Sequence, residues 1–346
     1  MYLCNGYYYS SYSIMKKNLN VSFLRIASMM LIILFHSLCF YAGKWWFLHT
    51  NIIIQWKILA QPTVIIGLST FFLISGFLFS YLYTEKNKYR NTSAFLFQKT
   101  RRLLLPYIIW SSVMIGSFKF IPWTDFFIGT AHLWFLMSLF ELFVFAILLC
   151  RLLILRTNIY IDSIIMVIAL ISHYAWYNFI GRHYALSIEN TLYYLPAFLM
   201  GLYCAKYQLY SWCYQKTAAF LFVLCISALT FISYYSFDED NLSKIDIAIR
   251  VISCIAAISA LVMTNNIKIP EKCKQLIQNL DSNSMGIYIF NQIIVFIILL
   301  IPISRQFLEV HYLIGPFIIF IFSLFIPWGL AELFNRKKFL SWLTGG

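Results

Sequence analysis

Apolar residues in this chain neither alternate nor keep to one helical stripe. They come in runs of about twenty, the length a helix needs to cross the hydrocarbon layer, separated by short polar stretches. The runs predict helices near 20–42, 62–83, 103–121, 132–154, 159–178, 191–206, 216–236, 246–265, 284–302 and 312–334. The expected fold class is all-α: a polytopic membrane helical bundle with about ten transmembrane helices, the architecture that satisfies backbone groups within lipid. Around the bundle at 20–335, residues 1–19 are expected to form a disordered cytoplasmic extension and 336–346 a short cytoplasmic tail.

Composition supports the membrane reading. The chain is 61% hydrophobic and only 11% charged, whereas about a quarter of the residues of a soluble domain are charged. Lys and Arg outnumber acidic residues 26 to 13, which in a soluble protein would suggest nucleic acid. Here their positions matter more, and no nucleic-acid partner is expected. With both termini on one side, 18 basic residues fall on that side, six on the other, and Arg25 and Arg250 lie within spans. The positive-inside rule then makes both termini cytoplasmic. The acidic residues Asp125, Glu189, Asp238, Glu239, Asp240, Asp246 and Glu309 lie on the opposite side, where acids orient helices only weakly.

The opening "MYLCNGYYYSSYSI" lacks the basic start and cleavage site of a signal peptide, and Met15-Lys16-Lys17 reads as a natural start. Eight cysteines are scattered singly without a CxxC pair, so they read as packing residues, with no metal site or disulfide framework expected. Walker, GxGxxG, HExxH and GxSxG sequences do not occur. The longest connection is about twenty residues, too short for a separate catalytic domain, so the chemistry belongs to the bundle.

Polar residues inside the spans carry that chemistry. Arg25 and His36, eleven residues apart in "NVSFLRIASMMLIILFHSLCFYAG", return to within about 20° of one helix face, about 16 Å apart along the axis. An ionisable group at membrane depth costs about 3 kcal/mol or more, so it faces a partner or a cavity. Singly, Arg25 reads as a snorkelling anchor and His36 as a helix contact. Together they suggest a polar channel from the cytoplasm ending at an imidazole, a base suited to neutral pH. "TFFLISGFLFSYLY" inserts Ser75 and Gly76 into a Phe-rich helix, where small residues let helices approach closely. "FLFQKTRRLLLPYIIWS" sets Lys99, Arg101 and Arg102 before the third span, as anchors or as a seat for a polyanion. In "AHLWFLMSLFELF", Trp134 and Glu141 share a face and His132 lies opposite; "SNSMGIYIFNQIIVF" gathers Tyr288, Asn291 and Gln292 within a turn, as helix glue or as part of a site.

In order, Arg25 with His36, "FFLISGF", the basic run before "LLLPY", "HLWFL", "YYLPAFLMGLYCAKY" and "SMGIYIFNQ" resemble the integral-membrane acyltransferase family three, whose members O-acetylate bacterial surface polysaccharides and related acceptors. The resemblance runs from about residue 20 to 335. It implies an acyltransferase for groups other than aminoacyl, set in the bacterial inner membrane. No cofactor would be bound permanently; acetyl-CoA or a similar acyl-CoA would be the co-substrate, a carbohydrate hydroxyl the acceptor, and membrane lipids the surroundings. Lys99, Arg101 and Arg102, with Ser75, would hold the donor. Arg25 would steer it, and His36 would act as base or transient acyl carrier. His132, Trp134, Glu141, Tyr288 and Asn291 would serve the acceptor or support the site. Asn291 stands where many relatives carry His, and Lys99 where Arg is common. The rival expectation is a transporter or flippase for a polysaccharide precursor, equally basic inside and polar within. A channel or scaffold would not need an aligned Arg and His. Trp45, Trp46, Trp123, Trp134 and Trp176 would suit sugar stacking or an ordinary aromatic belt.

Overall fold

The computed structural model describes residues 11–45, 47–48, 51–84, 91–149, 158–180, 186–209, 215–235, 239–265, 267–337 and 339–345. Trp46, Cys4, Cys150, Cys213, Asp238 and the basic residues Lys86, Lys88, Arg90, Arg151, Arg156, Arg182 and Lys338 lie outside these. Residues 1–10 of the expected extension and 150–154 of the expected fourth span do so too.

Helices dominate and no strand occurs among the described residues: α1 (Ser11–Cys39), α2 (Ile54–Thr84), α3 (Thr92–Lys99), α4 (Leu105–Ser117), α5 (Asp125–Ile128), α6 (Trp134–Leu149), α7 (Ile159–Phe179), α8 (Ile188–Lys206), α9 (Gln215–Tyr235), α10 (Glu239–Thr264), α11 (Glu271–Leu300), α12 (Pro302–Val310) and α13 (Gly315–Arg336). Each of the ten expected spans falls on one of these. Eight described helices are long and apolar enough to cross a membrane. The other two expected spans fall on α4 and α8. The former has 13 residues, about 20 Å of rise, but continues from α3 without a break. Helix α8 opens on Glu189 and Asn190 and buries most of its second half in protein, so its sequence need not be as apolar as a lipid-facing span.

Helix packing divides the bundle into an inner and an outer set. The apolar window of α2 is 78% buried, whereas that of α7 is 11% and that of α9 17% buried. Ile164, Val167 and Ile168 on α7, with Phe220, Val223 and Leu224 on α9, are exposed where lipid would cover them. Lipid removes the usual hydrophobic drive between helices, so close fit decides which of them meet. Gly76 on α2 and Gly201 on α8 provide that fit: a Cβ on Gly76 would stand 2.0 Å from the Phe198 carbonyl oxygen, and one on Gly201 1.9 Å from that of Leu73.

Buried charges tie the outer helices inward. Asp162 of α7 accepts from Lys206 Nζ and from the Tyr207 hydroxyl, each at 2.5 Å. Asp246 of α10 binds Arg250 Nη2 at 2.6 Å and His173 Nδ1 of α7 at 3.1 Å. Such pairing offsets the cost of charge at membrane depth.

Candidate active site

A cavity of about 440 Å³ opens among α1, α2, α3, α6 and α11. Arg25, Ser75, Lys99, Arg102, Asp281 and Tyr288 all line it. Arg25 Nε lies 3.2 Å from Asp281 Oδ1, and the Ser22 hydroxyl donates to Asp281 Oδ2 at 2.7 Å. Lys99 Nζ sits over the Phe143 ring, 3.8 Å from its centre. Arg101, expected with its neighbours, is exposed and outside the lining.

The basic segment is shaped by a π-turn at Thr100–Leu104, where the Leu105 N–H reaches back to Thr100 O. Pro106 has no N–H for the carbonyl one turn back, so the regular ladder is interrupted there. Nearby the chain end folds back as a 3₁₀ turn (Ser341–Thr344). Arg102 Nε donates to Gly345 O at 2.8 Å and Trp110 Nε1 to Leu343 O at 2.9 Å. Thr344 and Gly345 thereby complete the cavity wall, a role the sequence pattern did not suggest.

His36 lies beyond this cavity, buried in the last turns of α1. Its Nδ1 is 2.5 Å from Asn291 Oδ1 on α11, and Asn291 Nδ2 donates to Tyr288 O at 2.5 Å. The amide therefore offers His36 an acceptor. In a neutral imidazole Nδ1 then carries the hydrogen and Nε2 the lone pair. Nε2 makes no hydrogen bond among the described residues.

His132 faces His36 from a 3₁₀ turn (Ala131–Leu133) ahead of α6. Its ring centre is 5.8 Å from that of His36 and 5.2 Å from that of Tyr288. Its Nε2 meets Ile289 O at 3.0 Å, and its backbone N–H donates to Gln292 Oε1 at 3.0 Å. The Tyr288 hydroxyl donates to His132 O. These bonds hold a turn in which Ala131 has φ of 44°, a conformation that costs a residue with a Cβ about 1–2 kcal/mol. Tyr288 thus links the two: it lines the basic cavity and clamps the histidine turn.

Trp134 and Glu141 do not line the cavity. Trp134 stacks on Tyr194 with ring centres 5.8 Å apart. Glu141 accepts from the Thr191 hydroxyl at 2.6 Å and from Ser187 N at 3.0 Å. Both fix α6 to the start of α8. Asp281 escaped the sequence reading because one acid near a span end looks like an ordinary connection residue, and only the packing of α1 on α11 gives it a role.

A family model described as an acyltransferase domain matches residues 18–332. The chain belongs to the membrane acyltransferase family three. Comparison with curated proteins found no match, and neither did comparison with solved structures. As an acyltransferase of this family and a multi-pass membrane protein, it carries Arg25 and His36 on α1, which with α11 reaches from the basic cavity to the histidine pair.

Proposed function

We propose that this acyltransferase moves an acetyl group from cytoplasmic acetyl-CoA to a hydroxyl of a cell-surface carbohydrate or its lipid-linked precursor. One arrangement carries the reading: a cavity with Arg25, Lys99 and Arg102 in its wall is also lined by Tyr288, whose ring packs on His132, which in turn faces the buried His36 imidazole. The cations suit the phosphates of coenzyme A. The pantetheine arm would run along Ser75 and Phe135 toward Tyr288, which must yield for the thioester to reach His36.

There His36 Nε2 takes the proton of the acceptor hydroxyl as its oxygen attacks the thioester carbonyl. The tetrahedral intermediate collapses with cleavage of the C–S bond. The sulfur departs with the proton from His36, leaving an ester, free coenzyme A and the neutral imidazole. Asn291 keeps the lone pair on Nε2 throughout. The positive-inside pattern supports a basic cavity facing the cytoplasm and His36 facing the acceptor side, in what would be a bacterial inner membrane.

Release of free thiol from acetyl-CoA by the purified protein tests the reaction, since a carrier for a polysaccharide precursor would release none. Mass spectrometry of surface glycans from cells with and without the gene would identify the acceptor; identical acetylation in both would exclude a surface carbohydrate.

A further inference from the structure

Acyl transfer drives negative charge onto the thioester carbonyl oxygen, and a hydrogen-bond donor aimed at that oxygen is commonly the largest single contribution to catalysis. The groups around His36 restrict which donor is available. Phe35, with its ring centre 5.5 Å from that of His36, has no polar atom. His132 spends Nε2 on Ile289 O, which leaves its buried Nδ1 as a lone pair. The Asn291 amide points its nitrogen at Tyr288 O. Trp45 differs: it is 6% exposed, its ring is centred 6.3 Å from that of His36, and its buried Nε1 has no hydrogen-bond partner among the described residues.

An orphaned buried N–H is rare in folded proteins and calls for an explanation. An indole nitrogen only donates. The Trp45 ring is wedged against Phe296 at 5.1 Å and Phe47 at 6.1 Å, so it is held in surroundings poor in competing dipoles, where a donor acts most strongly. It belongs to the turn after α1, whose Phe40, Tyr41 and Ala42 are also buried. The loop therefore packs against the His36 end of α1, and protein rather than solvent covers Trp45.

We propose that the Trp45 indole N–H is the oxyanion donor of the transfer. As the acceptor oxygen bonds to the carbonyl carbon, the carbonyl π pair moves onto oxygen and that oxygen accepts from Nε1. When the C–S bond breaks, the pair returns and the hydrogen bond weakens. This role rests on His36 being the base.

The test replaces Trp45 with benzothienylalanine, which keeps the bicyclic shape and exchanges N–H for sulfur, and follows thiol release from acetyl-CoA by purified protein. The expected result is a kcat lower by about 100- to 1,000-fold, with KM for acetyl-CoA within about twofold and an unchanged melting temperature in detergent. Trp45→Phe should lose kcat in the same direction. An analogue protein with wild-type kcat, or one altered only in KM, overturns the assignment. His36→Ala in the same assay separates the two ideas. If it retains wild-type turnover, the base reading falls and the donor role with it; if it is inactive while the analogue is unimpaired, only the donor role falls.

Discussion

Arg25 on α1 is braced by Asp281 on α11, Nε to Oδ1 at 3.2 Å. Ten residues further along α11, Asn291 meets His36 in the same way. The two polar residues of the first span are thus both registered against one partner helix, and their separation follows from that register.

The Arg25–Asp281 pair is partly exposed, with side chains 28% and 17% accessible, and so contributes at most about 1 kcal/mol to stability. Asp281→Asn is expected to leave protein level and melting temperature nearly unchanged while raising KM for acetyl-CoA several-fold, because the guanidinium loses its brace. Arg25→Lys should recover only part of the activity lost in Arg25→Ala, since the charge survives but the planar fork does not. Steady-state kinetics beside a detergent melt measure both.

His36→Ala should lower turnover by about 100- to 10,000-fold, the usual contribution of a general base, without loss of donor binding. Asn291→Leu should act more mildly on rate and cost about 1–3 kcal/mol of stability by leaving the buried Nδ1–H unpaired. Equal losses of folded protein in both variants, with normal activity in what remains, would reduce the pair to a helix contact.

Neutralising Lys99 and Arg102 together should raise KM for acetyl-CoA and flatten its dependence on ionic strength, since charges near the surface act through a screening length of about 10 Å at 0.1 M salt. Arg101→Gln, outside the lining, should change KM little. Titrations at two salt concentrations decide; a larger effect at position 101 would move the donor elsewhere.

Gly76→Val should disrupt insertion or folding, because even a Cβ there collides with the Phe198 carbonyl. Overpacking of this kind costs about 1–3 kcal/mol, occasionally more. Gly116→Ala, where a Cβ meets nothing within 4 Å, should be neutral or stabilising by up to about 1 kcal/mol. Thermal unfolding in detergent compares them.

Cysteines introduced at Lys272 and at Gln306 in a cysteine-free background should differ in intact cells. If the basic-residue asymmetry sets the orientation, the first lies inside, shielded from an impermeant thiol reagent, and the second outside, where it should label. The reverse pattern would invert the bundle.

Spans were legible because apolar length alone defines them, and Arg25 and His36 stood out because ionisable residues in such runs are rare. Periodicity also placed Trp134 and Glu141 on one face, and both do meet α8. What escaped depends on contacts distant in sequence. Asp281 is 256 positions from Arg25 along the chain, and the fold of 341–345 onto Arg102 depends on a left-handed Gly345, φ 76°, that no apolar pattern announces. The π-turn likewise follows from Pro106 in context. Trp45 read as a sugar-stacking or a belt residue because sequence cannot tell a loop tucked into protein from one lying at the interface.

The partition at Tyr288 and Phe135 has an electrical meaning as well. If donor and acceptor reach it from opposite sides of a bilayer, as proposed, such an enzyme risks becoming a leak, and each proton slipping through would dissipate the membrane potential. Phe135 packs on Tyr288 with ring centres 5.0 Å apart, aromatic bulk that would interrupt a file of water between the basic cavity and the histidine pair. Substituting Tyr288 by a small residue should therefore be detectable as proton conductance in sealed vesicles, even before any acyl group is supplied.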